Sequence, residues 1–364
     1  MANRQLYEIQ GRRYDLDWLR VLAFGILILY HVAMFYVADW GWHIKNETTS
    51  TTLQYIMLLV NPWRMPLLFL ISGAALWFAA KKVSAASLLK LRTTRLLPPL
   101  VLGMLVIVPP QMYFQILQAE GIELGYGAFY RIYLDMGTDQ FPNHQTPAGL
   151  MTWNHLWFIP YLLTYTLVFV VVKPLLDRAA RWISRFDGSL AWVYLLPLTT
   201  LLLYGYFIEP RFPKNYALVG DWAAHALYGF MFASGYVLAG QLQILRKLVS
   251  ARWFCLSLSL LTYALLILVF RGELFTGPDG ADRFGRMVVY YLNGWGWLLT
   301  VMAWGAAFLN RPGKALTYMN EAILPWYLLH QTLIVVFAFW LLPLALPRGL
   351  ESTVLVLATV AGCA

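Results

Sequence analysis

The sequence predicts an all-α, polytopic membrane protein, and three observations lead there. Residues of the AVILMFWYC set fill 60% of the 364 positions, whereas Asp, Glu, Lys and Arg supply only 12%, about half the charged share of an ordinary soluble domain. Uncharged apolar stretches recur at lengths suited to about 30 Å of hydrocarbon. The basic residues between those stretches alternate in density along the chain. A soluble fold could not cover so much apolar surface with so few charges, and this aromatic, apolar composition excludes disorder. The two cysteines, Cys255 and Cys363, lie far apart in apolar runs. They offer neither a disulfide framework nor a metal knuckle, and no metal site is expected.

The first span is read at 18–38. Arg12 and Arg13 precede it, but the run ends at Tyr36-Val37-Ala38-Asp39-Trp40 without a small-residue cleavage site. It is expected to remain as the first helix and not to be cleaved as a signal. The second is read at 65–80, with apolar character from about Thr52. It is broken at Asn61-Pro62-Trp63-Arg64-Met65-Pro66, where two prolines around a charge interrupt helical hydrogen bonding. Further spans are read at 96–117, 151–172, 189–207, 222–240, 253–270, 287–309 and 325–342. A tenth begins near 352 and, with only thirteen residues left, is expected to be short or incomplete. No internal repeat or flexible linker divides the chain, so residues 1–364 read as one integral-membrane domain. The segment 118–150 carries Gly121, Gly125, Gly127, Tyr126, Tyr130 and Tyr133. Such residues suit a carbohydrate or lipid head group, and equally a packed interfacial segment.

With a cytoplasmic N-terminus, the inner loops collect seventeen Lys and Arg and the outer loops eight, the bias of a positive-inside topology. The net charge of +9 is therefore largely topology signal. No basic, aromatic-interleaved patch points to nucleic acid, and the expected surroundings are a lipid bilayer.

Arg20 and His31 lie eleven positions apart in the first span, a spacing that returns both to one helix face over a rise of about 16 Å. Ionisable groups at such depth face a bundle interior and mark a pathway or site. A histidine in low polarity is a natural proton acceptor near neutral pH, although the same residue also serves as a hydrogen-bonded structural group. Arg92 and Arg95, three apart at the head of the third span, present two forked guanidiniums suited to phosphate. On their own they read equally well as topology signals. Arg64, between Pro62 and Pro66, needs an anion from protein or ligand. Asn154, His155 and Trp157 open the fourth span, and His225 and His330 fall in apolar spans toward the outer half. Each of these histidines alone reads as a core residue. Together with the inner arginines they outline a route across the membrane.

The Arg20–His31 pair, the Arg92/Arg95 pair and the roughly ten-span layout resemble the acyltransferase 3 family of integral-membrane acyltransferases. The stretches Tyr14–Phe24, Trp63–Gly73, His155-Leu156-Trp157-Phe158 and Tyr327-Leu328-Leu329-His330-Gln331 are most similar to members that succinylate osmoregulated periplasmic glucans. The resemblance implies a multi-pass protein of the bacterial inner membrane that uses acyl-CoA as donor and holds no bound cofactor. The implied acyl group, succinyl, passes from cytoplasmic acyl-CoA to a hydroxyl of a periplasmic glycan. In that frame His31 is the general base, and Arg20, Arg92 and Arg95 bind the donor. Arg64 recognises a free carboxylate on the acyl group, and Asn154, His155, Trp157 and His330 support the acceptor side. Two alternatives stand beside it: an O-acetyltransferase acting on another envelope polysaccharide, and a proton-coupled transporter of an anionic substrate, which also uses broken helices and buried charges.

Overall fold

A computed structural model describes residues 12–186 and 189–364. The structure is 76% helical, with no strand among the described residues. Helix α1 covers Tyr14–Tyr36, with Asp15 and Asp17 in its first turn, where negative charge complements the helix dipole. Helix α2 spans Thr51–Leu58 and α3 spans Arg64–Ala79. The break expected at 61–66 is therefore present, and α3 carries Pro66 in its first turn, where a missing N–H is tolerated. Helix α4 (Ala85–Leu102) passes through the wide π turn Gly103–Ile107 before α5 (Pro109–Glu120) restarts on two prolines and ends at left-handed Gly121. A short α6 covers Tyr126–Leu134.

Helix α7 (Phe158–Ile183) is followed by α8 (Leu190–Leu203), which opens into a second π turn at Tyr204–Ile208. Then come α9 (Trp222–Ala239), α10 (Leu242–Ser250), α11 (Arg252–Phe270), α12 (Gly280–Phe308), α13 (Lys314–Leu341) and α14 (Arg348–Cys363). The Asp221 and Asp279 side chains accept from Ala224 N and Asp282 N at 3.2 and 2.8 Å, capping α9 and α12.

Six helical segments among the described residues are long and apolar enough to cross a membrane: 14–36, 85–120, 154–186, 190–208, 252–270 and 314–344. The remaining spans read from the sequence coincide with α3, α9, α12 and α14, which fall short in length or in apolarity. Exposed apolar stripes agree with a lipid environment. On α7, Leu167, Val171 and Leu175 recur every fourth residue and are 57%, 79% and 67% exposed, a face that only hydrocarbon satisfies.

The chain divides into two compact units. One holds the chain up to Ala23, Tyr55–Arg92 and Tyr161–Asn320; the other holds Phe24–Gln54, Thr93–Pro160 and Glu321–Ala364. In the first unit, α3 packs most extensively on α9, because each brings a glycine to the crossing. A Cβ on Gly73 would lie 1.8 Å from the carbonyl oxygen of Phe232, and one on Gly235 would lie 1.9 Å from that of Leu70. Without a hydrophobic drive between helices in lipid, such close backbone approach supplies the packing. The second unit is centred on Ile28, Val32 and Phe35 of α1 against Ile334, Val335 and Ala338 of α13 and Leu355 of α14. Glu351, buried in the first turn of α14, accepts from Tyr36 Oη at 3.0 Å and Asn46 Nδ2 at 2.9 Å.

Gly235→Ala and Gly73→Ala should each destabilise the purified protein by about 1–3 kcal/mol through overpacking, read as a lowered midpoint of thermal unfolding in detergent. Gly25→Ala on α1, with nothing within 4 Å of the added methyl, should be neutral or slightly stabilising. Equal stability of all three variants would mean that the α3–α9 crossing does not rely on its glycines.

Candidate active site

Five of the six histidines fall in the second unit, and hydrogen bonds gather them into a polar interior. His31 sits mid-helix on α1, and its Nδ1 lies 3.0 Å from Nε2 of His330 on α13. The two rings are nearly parallel, with centroids 5.1 Å apart. Nδ1 of His330 faces the carbonyl oxygens of Tyr327 at 2.8 Å and Trp326 at 3.1 Å. Trp42 lies beside His31 with ring centroids 6.4 Å apart.

His155, 7% exposed, is occupied at both ring nitrogens. Gln111 Nε2 donates to its Nδ1 at 3.2 Å, and its Nε2 donates to Leu328 O at 3.1 Å. Its own carbonyl accepts from Tyr327 Oη at 2.6 Å. The arrangement bolts the start of the 154–157 turn to α13. Asn154 adopts a left-handed conformation, φ 44°, which asparagine tolerates better than most residues, and its Oδ1 accepts from Gln331 Nε2 at 3.4 Å. Trp157, half-buried, closes the same short turn.

Helix α5 supplies the scaffold of this interior. Gln111, Gln115 and Gln118 recur at i, i+4 and i+7 and so share a face. Gln111 joins His155, Thr332 (2.6 Å) and Gln331 (3.1 Å). Gln115 accepts from His43 Nδ1 at 2.5 Å and donates to His144 Nδ1 at 3.3 Å, and His144 Nε2 reaches Glu120 at 3.2 Å. Gln118 pairs with both backbone groups of Lys45 at 2.9 and 3.0 Å. Gln331 completes the mesh by donating to His43 Nε2 at 2.8 Å. The loop 37–50 is thus held against α5 and α13, and the Lys45 ammonium caps the last carbonyls of α1 at Met34 and Val37.

The π turn explains how an irregular backbone survives at this depth. It frees carbonyls from the helical ladder, and side chains take them up: Tyr133 Oη on Met104 O at 2.7 Å, Tyr130 Oη on Leu105 O at 2.9 Å and Thr332 Oγ1 on Ile107 O at 2.7 Å. Tyr130 and Tyr133 of segment 118–150 therefore pack on the π turn, with Phe129 and Tyr133 fully buried, whereas Tyr126 stays exposed.

A family model described as an acyltransferase domain, acyltransferase 3, matches residues 13–364. The chain belongs to the acyltransferase 3 family. No curated protein and no solved structure matches it. The histidine mesh described above thus lies within an acyltransferase-family domain.

The basic candidates of this acyltransferase lie mainly in its other unit. Arg20 Nη2 donates to Asp17 Oδ1 at 3.2 Å and Asn320 Oδ1 at 2.6 Å. Arg13 makes a buried pair with Asp15 at 2.5 Å. Arg92, half-buried, and Arg95, exposed, lie three apart on α4; the first belongs to the first unit and the second to the other. Arg64 is the first residue of α3, next to Trp63, whose ring stacks on Trp297 with centroids 6.4 Å apart. Asp17 pairs with Arg12 and Arg20, and Asp221 accepts from Tyr161 Oη, Tyr216 N and Ala224 N. His225, also in this unit, bonds to Leu218 O at 2.7 Å and packs on Tyr161. Among the described residues no cluster of three His, Cys, Asp or Glu could hold a metal ion.

His43, His144, Gln111 and Gln115 escaped the sequence reading. The glutamine spacing on α5 was the available signal, since three amides on one face of a membrane helix need polar partners.

Packing around the His43 ring lowers its pKa below the ordinary value of about 6.5, outweighing the bonds from Gln115 and Asn154, which raise it. The unfolded chain then binds a proton that the native loop does not. Stability should therefore be full above about pH 6.5 and fall as pH drops below it. A thermal-unfolding series from pH 7.5 to 5.5 should show this slope, and His43→Gln should flatten it. An identical slope in the variant would assign the titration to another group.

Proposed function

We propose that this acyltransferase moves a succinyl group from cytoplasmic succinyl-CoA to a hydroxyl of a periplasmic glucan, within the bacterial inner membrane and with its N-terminus cytoplasmic. Its sequence motifs resemble those of glucans biosynthesis protein C. The observation that carries the chemistry is the His31 imidazole, held mid-helix against His330 in the hydrogen-bonded interior of an acyltransferase-family chain.

The reaction needs a base for the acceptor hydroxyl and a route for its proton. His31 takes the hydroxyl proton as the oxygen attacks the thioester carbonyl. The new C–O bond forms, the C–S bond breaks with its electron pair going to sulfur, and the proton passes from His31 to the CoA thiolate. Acyl-CoA enters as substrate, and no cofactor is required by this sequence of steps. Arg20, Arg92 and Arg95 bind the phosphate-bearing donor, with Arg92 and Arg95 supplying forked donors to phosphate oxygens. Asn154, His155, Trp157 and His330 shape the acceptor side. The doubly bonded ring of His155 suits a supporting role there.

Arg64 recognises the free carboxylate of the succinyl group. A guanidinium beside Trp63 and between two prolines favours an anionic ligand, and a bidentate carboxylate pair discriminates well against a methyl group. Acetyl-CoA brings no such anion.

Purified protein given radiolabelled succinyl-CoA and a glucan acceptor should form an ester. His31→Ala should lower turnover by about 10²–10⁴-fold while leaving the protein folded and inserted. Substrate movement into vesicles with no ester formed would overturn the enzymatic reading in favour of a carrier. Arg64→Leu should lose succinyl transfer selectively, with acetyl transfer kept or raised. Equal loss of both would reassign Arg64 to holding the fold or the catalytic geometry.

Arg92→Ala and Arg95→Ala should each weaken the apparent affinity for acyl-CoA more than they slow saturated turnover, with Lys restoring only part because the fork is lost. Unchanged affinity in both Ala variants would leave these arginines as topology signals.

A further inference from the structure

The two nitrogens of His330 meet different neighbours, and that difference propagates to His31. Nδ1 of His330 lies 2.8 Å from Tyr327 O and 3.1 Å from Trp326 O. A carbonyl oxygen only accepts, so Nδ1 carries the proton. In the neutral ring, Nε2 then presents a lone pair. That lone pair lies 3.0 Å from Nδ1 of His31, so the hydrogen of this contact comes from His31. A neutral imidazole has one N–H, and with that proton on Nδ1 the basic lone pair of His31 is on Nε2.

Resting on the acyltransferase reading above, we infer that His330 is a positioning residue that fixes His31 as its Nδ1–H tautomer, so that Nε2 of His31 is the atom that takes the hydroxyl proton. The same contact serves the charged intermediate. Once His31 has gained the proton, its Nδ1–H still donates to His330, and the positive charge is shared toward a ring whose far N–H rests on two carbonyl dipoles of α13. The proton then leaves from Nε2 of His31 to the departing sulfur, and the pair returns to its starting tautomers. No proton is gained or lost by His330 over the cycle.

The partner elements fix this geometry from several sides. Tyr327, whose carbonyl receives the His330 proton, is itself anchored by its hydroxyl on His155 O at 2.6 Å. His155 is tied to Gln111 and Leu328. Its ring meets that of His330 edge-on, with centroids 5.3 Å apart. His330 is 1% exposed, so bulk water does not compete for either nitrogen.

The test combines a spectroscopic readout with kinetics. Full-length protein labelled with ¹⁵N-histidine in nanodiscs contains six histidines, and His31→Gln identifies the His31 signals by their loss. The expected wild-type spectrum has His31 protonated at Nδ1 and unprotonated at Nε2. His330→Leu should release His31 to a tautomer mixture and lower kcat by about 10²-fold or more, with KM for succinyl-CoA within about twofold. His330→Gln, whose side-chain oxygen can still accept from His31, should restore the tautomer and at least about a tenth of wild-type kcat. A wild-type His31 protonated at Nε2, or a His330→Leu variant with near-normal kcat, would overturn the inference. So would loss of activity in the Leu and Gln variants alike with the His31 tautomer unchanged, which is the pattern of a purely structural residue. Absence of transfer by the wild type would count against the acyltransferase reading, whereas the nitrogen spectrum reports the tautomer in either case.

Discussion

Every polar group placed in the hydrocarbon zone must find its partner within the protein, and this requirement organises the second unit. Breaking a helix there frees carbonyls that water cannot reach. The π turn at Gly103–Ile107 does so, and Tyr130, Tyr133 and Thr332 take up three of those carbonyls. Thr332 in turn accepts from Gln111, Gln111 from Gln331, and Gln331 reaches His43. One local departure from α-helix thus carries a chain of donors and acceptors across α5, α13 and the 37–50 loop. The network is nearly closed at each member, which is the condition under which buried polar groups rigidify a site without weakening it. A side chain held in such a frame keeps its orientation without help from solvent.

The first unit meets the same constraint with charge. Arg13 is paired with Asp15 and Arg20 with Asp17 and Asn320, so the N-terminal end of α1 is neutralised largely along its own sequence. Arg64 differs in kind. It opens α3, at the end of a helix where the dipole is positive and a cation is least favoured. Paired with an incoming carboxylate, the guanidinium and the helix end would act on the ligand with the same sign.

The fold class was legible because membrane helices advertise themselves by length, apolarity and flanking charge, and the break at Pro62 and Pro66 was legible because proline removes a donor. The individual histidines at 31, 155 and 330 were also visible, since an ionisable residue in an apolar run stands out. Their arrangement was not. His330 lies 299 positions from His31 in sequence, and nothing local to either residue specifies that contact. His43 and His144 sit in segments whose polar composition hides them, and their roles follow from docking onto the glutamine face of α5. That face was encoded in the spacing of Gln111, Gln115 and Gln118, but helical periodicity in membrane proteins is usually sought in apolar residues. The tyrosines of 118–150 suited a ligand or a packed segment equally well on composition; the engagement of Tyr130 and Tyr133 depends on the carbonyls exposed by the π turn, a feature without a clear sequence signature.

The choice of an imidazole as the partner of the base also follows from the medium. A soluble serine hydrolase orients its histidine with a carboxylate, which stabilises the imidazolium but carries a permanent negative charge. At membrane depth that charge would need its own counter-ion or several donors before any substrate arrived. A neutral ring backed by the carbonyls of Tyr327 and Trp326 accepts the same hydrogen and presents no net charge in the resting state. The stabilisation it offers the imidazolium is weaker than a carboxylate's, since it comes from dipoles. The demand on that partner would be modest, however: in the proposed reaction the proton would reside on His31 only between attack on the thioester and departure of sulfur. A weaker partner also leaves the imidazolium more acidic, which favours handing the proton on to the thiolate. The His31–His330 pair would therefore suit both a site shielded from bulk water and the proposed proton that is taken up and released within one turnover.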